Sequence, residues 1–173
     1  MEIILAENHG FCYGVKRAVE MANEAAEGKG KSYTLGPIIH NPQVVGRLES
    51  KGVSPIQEVA DIDEGTMIIR SHGVGPAIYA EAEEKGLHIL DATCPHVKKA
   101  QQDAKSVIED GMTLVILGEK NHPEVKSINL WANNKGIIIE DEESAQKLQI
   151  VEKMGVVVQT TFSQFKFNSI IDI

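Results

Sequence analysis

The sequence predicts an α/β fold built from successive small units of parallel sheet, and two observations support this prediction. Short apolar runs rich in β-branched residues alternate along the chain with longer amphipathic stretches. Such runs are typical of strands that a parallel sheet buries on both faces. Glycine follows several of the amphipathic stretches, as it does at helix C-termini. Strands that alternate with helices in this way form βα units.

Seven apolar runs are predicted strands, and the stretches between them are predicted helices. The strands are expected at residues 3–6, 33–35, 67–70, 88–90, 114–117, 137–139 and 156–158. The helices are expected at residues 15–26, 43–51, 77–85, 96–109, 123–132 and 142–148, with a further helical pattern from Gln164. The strands could form one sheet or two small ones. We expect a first α/β unit over residues 1–95 and a second over residues 96–173.

Composition limits the classes of function. The 173 residues carry a formal net charge of −8, which argues against a general nucleic-acid binder because phosphate contacts need a basic face. No long apolar run and no basic leader followed by an apolar stretch is present, so neither a membrane span nor a signal peptide is predicted. Two cysteines are too few for a disulfide scaffold. We therefore expect a soluble cytoplasmic protein with reduced thiols.

The polar residues that could take part in binding or catalysis cluster in the turns between a predicted strand and the helix that follows it. In open α/β sheets, ligands bind at the carboxyl ends of the strands. Six turns or connections of this kind carry cysteine, histidine, acidic or hydroxyl side chains, at residues 10–14, 40–42, 71–74, 91–95, 121–124 and 159–161. We therefore expect a ligand site built from these turns.

Proline directly follows Asn41, Cys94 and His122. Since proline favours the first position of a helix, these three residues are predicted N-caps. Helix N-termini have unpaired N–H groups and partial positive charge, so they hold anions and favour a thiolate. Cys12, which lies between two glycines just ahead of a helix, has the same setting.

Each residue also has a simpler structural interpretation. A free cysteine is usually a small buried apolar residue, a single histidine is often a cap, and Glu124 suits the first turn of any helix. Thr160 could cap the last helix. His9, His88 and His96 receive no functional role, and residues 140–143 are expected to form a solvated helix start.

Several common motifs are absent from the sequence. No GxGxxG follows the first predicted strand, and no P-loop is present, so nucleotide binding through a glycine-rich loop is not supported. No HExxH or paired CxxC indicates zinc, and no Gly-x-Ser-x-Gly indicates a hydrolase.

Taken together, the polar turns resemble those of the 4-hydroxy-3-methylbut-2-enyl diphosphate reductases, the LytB-type iron–sulfur reductases. The resemblance runs over the whole sequence. The motifs that carry it are Gly10-Phe11-Cys12-Tyr13-Gly14-Val15, Arg17-Ala18, His40-Asn41, Ser71-His72-Gly73-Val74, Asp91-Ala92-Thr93-Cys94-Pro95, His122-Pro123-Glu124-Val125 and Gln159-Thr160-Thr161.

The resemblance implies three small α/β units around a shared cavity, each supplying one cysteine to a [4Fe-4S] cluster. Cys12 and Cys94 match the first two of these cysteines. The resemblance also implies the last step of the non-mevalonate isoprenoid pathway. In this step, two electrons and protons remove the hydroxyl of 4-hydroxy-3-methylbut-2-enyl diphosphate as water. The products are isopentenyl and dimethylallyl diphosphate. An external electron donor such as ferredoxin or flavodoxin is expected.

The resemblance also implies roles for residues around the substrate. His40, His72 and His122 match the histidines that bind the diphosphate. Glu124 matches the carboxylate that delivers protons, and Thr160 matches the hydroxyl that orders substrate and water beside it.

The sequence departs from the family pattern in three respects. The third cysteine ligand and the Ser/Asn group that completes the diphosphate site have no counterpart, so the third unit is expected to be absent from this chain. Lys126 and Ser127 occupy positions where family members commonly have a glycine. We therefore expect a two-unit N-terminal piece of the reductase with little or no activity alone. We also expect residues 3–6 to lack the neighbours that the missing unit would provide.

Two alternatives stay open at this level. The chain could be a non-catalytic α/β module that binds diphosphate or another anion and has no redox chemistry. Alternatively, a second copy of the chain or a separate partner could supply the third cysteine.

Overall fold

Strands and helices alternate along the chain in the computed structural model, which describes residues 2–7, 9–28, 30–149 and 152–173. The helices are α1 (Tyr13–Glu27), α2 (Pro42–Ser50), α3 (Pro76–Glu84), α4 (Pro95–Glu109), α5 (Pro123–Trp131), α6 (Glu142–Gln146) and α7 (Gln164–Ile171). The strands are β1 (Ser32–Leu35), β2 (Val53–Ile56), β3 (Thr66–Ile69), β4 (His88–Asp91), β5 (Thr113–Leu117), β6 (Ile137–Ile139) and β7 (Met154–Val158). A short 3-10 turn covers Val59–Asp61.

The strands form two parallel sheets rather than one. The first sheet has the order β2-β1-β3-β4, and the second has the order β6-β5-β7. Every pair of neighbouring strands is parallel. Helix α4 connects the last strand of the first sheet to the first strand of the second. The predicted α/β class with parallel βα units is confirmed.

The predicted strand at residues 3–6 is wrong. The structure has no strand there, and Ile3, Ile4 and Leu5 are between 74% and 83% exposed. An apolar run becomes a strand only where a neighbouring strand pairs its backbone and a surface covers its side chains. Neither partner is available to this segment among the described residues, which agrees with the expectation that residues 3–6 lack neighbours.

Strand β2, which reads Val-Ser-Pro-Ile, is not among the strands predicted from the sequence. A proline lacks the N–H that a central strand needs, so Pro55 makes this run atypical of a buried parallel strand. The sheet order explains its presence, since β2 is an edge strand and pairs only with β1. The other strands and the helices agree with prediction to within a few residues at their ends.

Side chains alternate between the two faces of each sheet. On β3, Met67 and Ile69 pack into one apolar cluster, while Ile68 packs on the opposite face with Ala18 and Ala22 of α1. In the second sheet, the β5 side chains divide in the same way between a cluster with α4 and α5 and a cluster with α7. Both sheets therefore have apolar packing on both faces, which leaves their strand ends as places for polar chemistry.

None of the helices in the described part of the chain has the length and apolar character needed to span a bilayer.

Candidate functional site

The polar turns of both sheets meet at one cavity of about 210 Å³. All seven residues singled out from the sequence line it: Cys12, His40, His72, Cys94, His122, Glu124 and Thr160. The turns come together because parallel strands end at the same edge of a sheet and α4 brings the two edges side by side. The cavity is therefore the candidate functional site.

The N-cap predictions explain how several of these side chains reach the cavity. Asn41, Cys94 and His122 are the N-caps of α2, α4 and α5, each with proline in the first turn. The Asn41 Oδ1 atom accepts a hydrogen bond from the backbone N–H of Val44 at 3.0 Å. Cys12 is the N-cap of α1. The predicted N-caps are confirmed, and the starts of α1, α4 and α5, which carry partial positive charge, line the cavity.

The three histidines form a compact triad. The ring centroids of His40 and His72 are 4.7 Å apart, those of His72 and His122 are 5.3 Å apart, and those of His40 and His122 are 6.2 Å apart. One nitrogen from each ring lies within 4.8 Å of the other two. Three converging imidazoles can bind a metal ion through their lone pairs or an anion through their N–H groups.

A hydrogen bond at His122 favours the anion. The backbone N–H of Glu124 donates to His122 Nδ1 at 3.2 Å. A backbone N–H can only donate, so Nδ1 has no proton, and the neutral ring carries its proton on Nε2. His122 therefore has a donor rather than a free lone pair for its remaining contacts, and a donor binds a phosphate oxygen.

His72 is uncharged at neutral pH. Burial is the main cause that lowers the pKa of His72 to about 4, and the neighbouring His40, His122 and Arg70 contribute the rest of that shift. Within the described ranges, His72 Nδ1 is buried without a hydrogen-bond partner. A buried polar atom without a partner is costly, so this nitrogen is available to a ligand that enters the cavity.

Glu124 is held by hydrogen bonds rather than by a cation. Its side chain is 2% exposed, and both carboxylate oxygens accept from Thr160. The Thr160 backbone N–H donates to Oε1 at 2.6 Å, and the Thr160 hydroxyl donates to Oε2 at 2.9 Å. No ion pair in the described part of the chain includes Glu124. A carboxyl paired with a hydroxyl at a cavity wall can pass a proton to a ligand there.

The two thiols are free, with Cys12 exposed and Cys94 partly buried. Neither side chain makes a capping hydrogen bond, so both sulfurs are available as ligands. A Cβ atom at Gly14 would lie 2.5 Å from Cys94 Sγ, so only glycine allows α1 to approach this thiol. Thiolates are the ligands of iron–sulfur clusters, and the pair fits two positions of such a ligand set. The sequence contains no third cysteine.

Other residues that support the site were not assigned roles from the sequence. The Asp91 carboxylate accepts from the Thr93 backbone N–H at 2.9 Å and the Tyr79 hydroxyl at 3.0 Å, and it pairs with Lys98 at 2.6 Å. Burial alone would raise the pKa of Asp91, but the hydrogen bonds from Lys98 and Thr93 outweigh it and the pKa is lowered. These contacts hold the turn that ends in Cys94. The only sequence signal was the position of Asp91 in that turn.

Gln101 of α4 and Ser127 of α5 form a buried hydrogen bond of 2.5 Å, which the sequence did not indicate. A Cβ atom at Gly73 would collide with Gln101 Nε2 and would lie 3.0 Å from Ser127 Oγ. The pair therefore packs directly beneath the turn that carries His72.

Comparison with known proteins agrees with these observations. A family model described as "LytB protein" matches residues 3–173. A protein of Geotalea uraniireducens named 4-hydroxy-3-methylbut-2-enyl diphosphate reductase is 48% identical over 172 residues, which are 99% of this chain and 61% of that protein. A protein of Pelobacter propionicus with the same name is 52% identical over 163 residues, which are 94% of this chain and 58% of that protein.

Two solved structures are also similar. A structure described as (E)-4-hydroxy-3-methyl-but-2-enyl diphosphate reductase, the terminal enzyme of the non-mevalonate pathway, has a TM-score of 0.86 at 44% identity, over 98% of this chain and 62% of that one. The Plasmodium falciparum E-1-hydroxy-2-methyl-but-2-enyl-4-diphosphate reductase has a TM-score of 0.90 at 32% identity, over 96% of this chain and 54% of that one. The chain thus spans about 60% of the length of the curated relatives it matches.

Proposed function

Because this chain belongs to the LytB protein family, we propose that it acts as the N-terminal part of a 4-hydroxy-3-methylbut-2-enyl diphosphate reductase. Its relatives bear that name, and the chain spans about 60% of their length. The observation that carries the proposal is the convergence of three histidines, a carboxyl–hydroxyl pair and two thiols on one cavity. Residues 1–95 and 96–173 act as two α/β units, and the longer protein provides a third.

The histidine triad binds the diphosphate of the substrate. His122 donates through Nε2, because its Nδ1 already accepts from Glu124 N–H. His40 and His72 lie beside it with nitrogens within reach of the same group. The unpaired N–H groups at the helix starts add favourable electrostatics for a multiply charged anion.

Glu124 and Thr160 deliver protons when the substrate hydroxyl leaves as water. Glu124 is buried, and Thr160 connects its Oε2 atom to the cavity through the hydroxyl. The backbone hydrogen bond to Oε1 fixes the carboxyl plane, so that Oε2 exchanges a proton with the Thr160 oxygen. This arrangement is suited to general acid catalysis.

Cys12 and Cys94 would hold a [4Fe-4S] cluster, each as one thiolate ligand. When bound, the cluster supplies the two electrons for reductive removal of the hydroxyl, and an external donor such as ferredoxin or flavodoxin replaces them. Since the sequence has only two cysteines, the third ligand comes from outside these 173 residues. Its source is the remainder of a longer chain, a second copy or a separate cytoplasmic partner.

Titration calorimetry of the 173-residue chain with inorganic pyrophosphate tests the diphosphate site. We expect binding that H72N and H122N each weaken about tenfold, the value of one hydrogen bond to a charged group. The control is H96N, since His96 is exposed and lies outside the cavity lining. If wild-type protein does not bind, or if H96N weakens binding equally, the proposed diphosphate site is wrong.

Anaerobic reconstitution with iron and sulfide, followed by a reduction assay, separates the reductase from the alternative anion-binding module. The module is favoured by the incomplete thiol set and predicts pyrophosphate binding with no cluster absorption under any condition. The reductase proposal predicts cluster absorption once the remainder of the longer protein supplies the third ligand, and it predicts that C12S and C94S abolish this absorption. Turnover by the isolated chain would contradict the expectation that it is inactive alone.

A further inference from the structure

Arg17 connects the two cysteine-bearing helix starts. It lies on α1, five residues after Cys12. Its guanidinium donates to the backbone carbonyl of Thr93 at 3.2 Å and to that of Asp91 at 3.4 Å. Both carbonyls belong to the turn that ends in Cys94. No carboxylate pairs with Arg17 in the described ranges, so both terminal nitrogens of its guanidinium group bind these two carbonyls.

The Cys94 turn is already held from its other side. The Cys94 backbone N–H donates to Ser71 O at 2.9 Å, and the Thr93 N–H donates to the Asp91 side chain. These contacts set the shape of the turn, but neither one connects it to α1. Helix α1 meets the turn at the Gly14–Cys94 contact and at Arg17. The Gly14 contact prevents a closer approach, and Arg17 prevents separation.

We propose that Arg17 is a positioning residue that keeps the Cys12 and Cys94 thiols at a constant spacing across the cavity. The inference deepens the proposed function, in which both thiols bind one cluster. Two carbonyls in one turn match the planar fork of arginine, whereas the single ammonium of lysine cannot bridge them in the same geometry. Because Arg17 binds backbone oxygens, the contact holds the turn independently of the side chains of Asp91 and Thr93.

A short-span bifunctional thiol reagent, dibromobimane, tests the spacing on the reduced 173-residue chain without a cluster or diphosphate. The measurement is the ratio of intramolecular cross-link to singly labelled protein, because each of two close thiols displaces one bromide. C12S and C94S confirm that the cross-link joins these two residues. We expect R17Q to lower the ratio about tenfold, the effect of losing hydrogen bonds from a charged group. We expect R17K to give an intermediate value.

The matched control is K16Q, which removes an exposed charge one position earlier and should leave the ratio unchanged. An R17Q ratio equal to that of K16Q overturns the proposal, as does a wild-type chain that gives no cross-link. Thermal melting identifies variants that do not fold. If R17Q is among them, a wild-type ratio in R17K overturns the proposal instead. The cross-link ratio reports only on the two thiols. The Arg17 proposal can therefore fail while pyrophosphate binding succeeds, and pyrophosphate binding can fail while the ratio behaves as expected.

Discussion

Thr160 binds both oxygens of the Glu124 carboxylate, through its backbone N–H at 2.6 Å and its hydroxyl at 2.9 Å. The two residues are 36 positions apart, one in the turn after β7 and the other in the first turn of α5. Their meeting therefore depends on the β5–β7 pairing. It gives a buried acid two hydrogen-bond donors, and no ion pair among the residues that the structure describes includes Glu124. This is the arrangement that we propose for proton delivery.

Replacing Thr160 by valine removes the hydroxyl and keeps the backbone N–H. We expect T160V to lower the free energy of unfolding by about 1 kcal/mol, because Glu124 Oε2 loses its partner. T160S retains a hydroxyl and should remain close to wild type. Urea unfolding of the three proteins measures the difference. Equal stability of T160V and T160S would show that the side-chain hydrogen bond does not contribute.

Gly14 and Gly46 allow a matched test of the close approach to Cys94. Both glycines lie in helices, but a Cβ at Gly46 meets nothing within 4 Å, whereas a Cβ at Gly14 lies 2.5 Å from Cys94 Sγ. We expect G46A to stabilise the chain by about 0.5–1 kcal/mol through helix propensity. We expect G14A to destabilise it by about 1–3 kcal/mol, as overpacking does.

Thermal unfolding of both alanine variants measures these effects. Alkylation of Cys94 with iodoacetamide, followed in the C12S background, should change in G14A and not in G46A. A G14A chain as stable as G46A would contradict the close packing.

Ser127 should matter more than its neighbour Lys126. Ser127 is buried and accepts from Gln101 Nε2, whereas Lys126 is exposed. We expect S127A to lower the free energy of unfolding by about 1–3 kcal/mol, since it leaves a buried amide donor unpaired. K126A should change it by less than about 0.5 kcal/mol. Urea unfolding of both variants provides the comparison, and a larger loss in K126A would reverse the assignment.

His72 makes stability depend on pH. The unfolded chain protonates this ring below about pH 6.5, while the folded chain does so only near pH 4. The unfolded state therefore binds more protons between these values, so this contribution to stability is complete above pH 6.5 and is lost as the pH falls to 4. After allowance for solvent screening at a ring that is not fully buried, we expect a loss of about 1–2 kcal/mol.

H72N lacks this titration and provides the comparison. The difference in unfolding free energy between wild type and H72N, measured by urea at pH 7 and pH 4.5, should shrink at the lower pH. A difference that is constant with pH would contradict the lowered pKa.

The fold could be predicted where its signals are local. Strand β5 and helix α4 have unbroken apolar patterns, and proline marks the starts of α2, α4 and α5. The prediction failed where a strand depends on its neighbours. Residues 3–6 have a strand composition but no partner in the described structure, and β2 contains a proline that only an edge position accommodates.

The members of the candidate site were predicted more completely than their supports. Cysteine and histidine stand out in polar turns because their chemistry is distinctive. Arg17 belongs to a motif that carries the family resemblance and Ser127 departs from the family pattern, but the sequence assigned no supporting role to them or to Gln101, because that role depends on contacts with distant residues.

By itself, the sequence determined the α/β class, the succession of βα units, the helix starts and the turns that carry reactive side chains. These properties follow from hydrophobic period and from backbone chemistry within a few residues. The tertiary structure decided that the strands divide into two sheets, that the ring proton of His122 lies on Nε2, and that Thr160 meets Glu124. Those properties depend on burial and on contacts between distant parts of the chain, which no local pattern encodes.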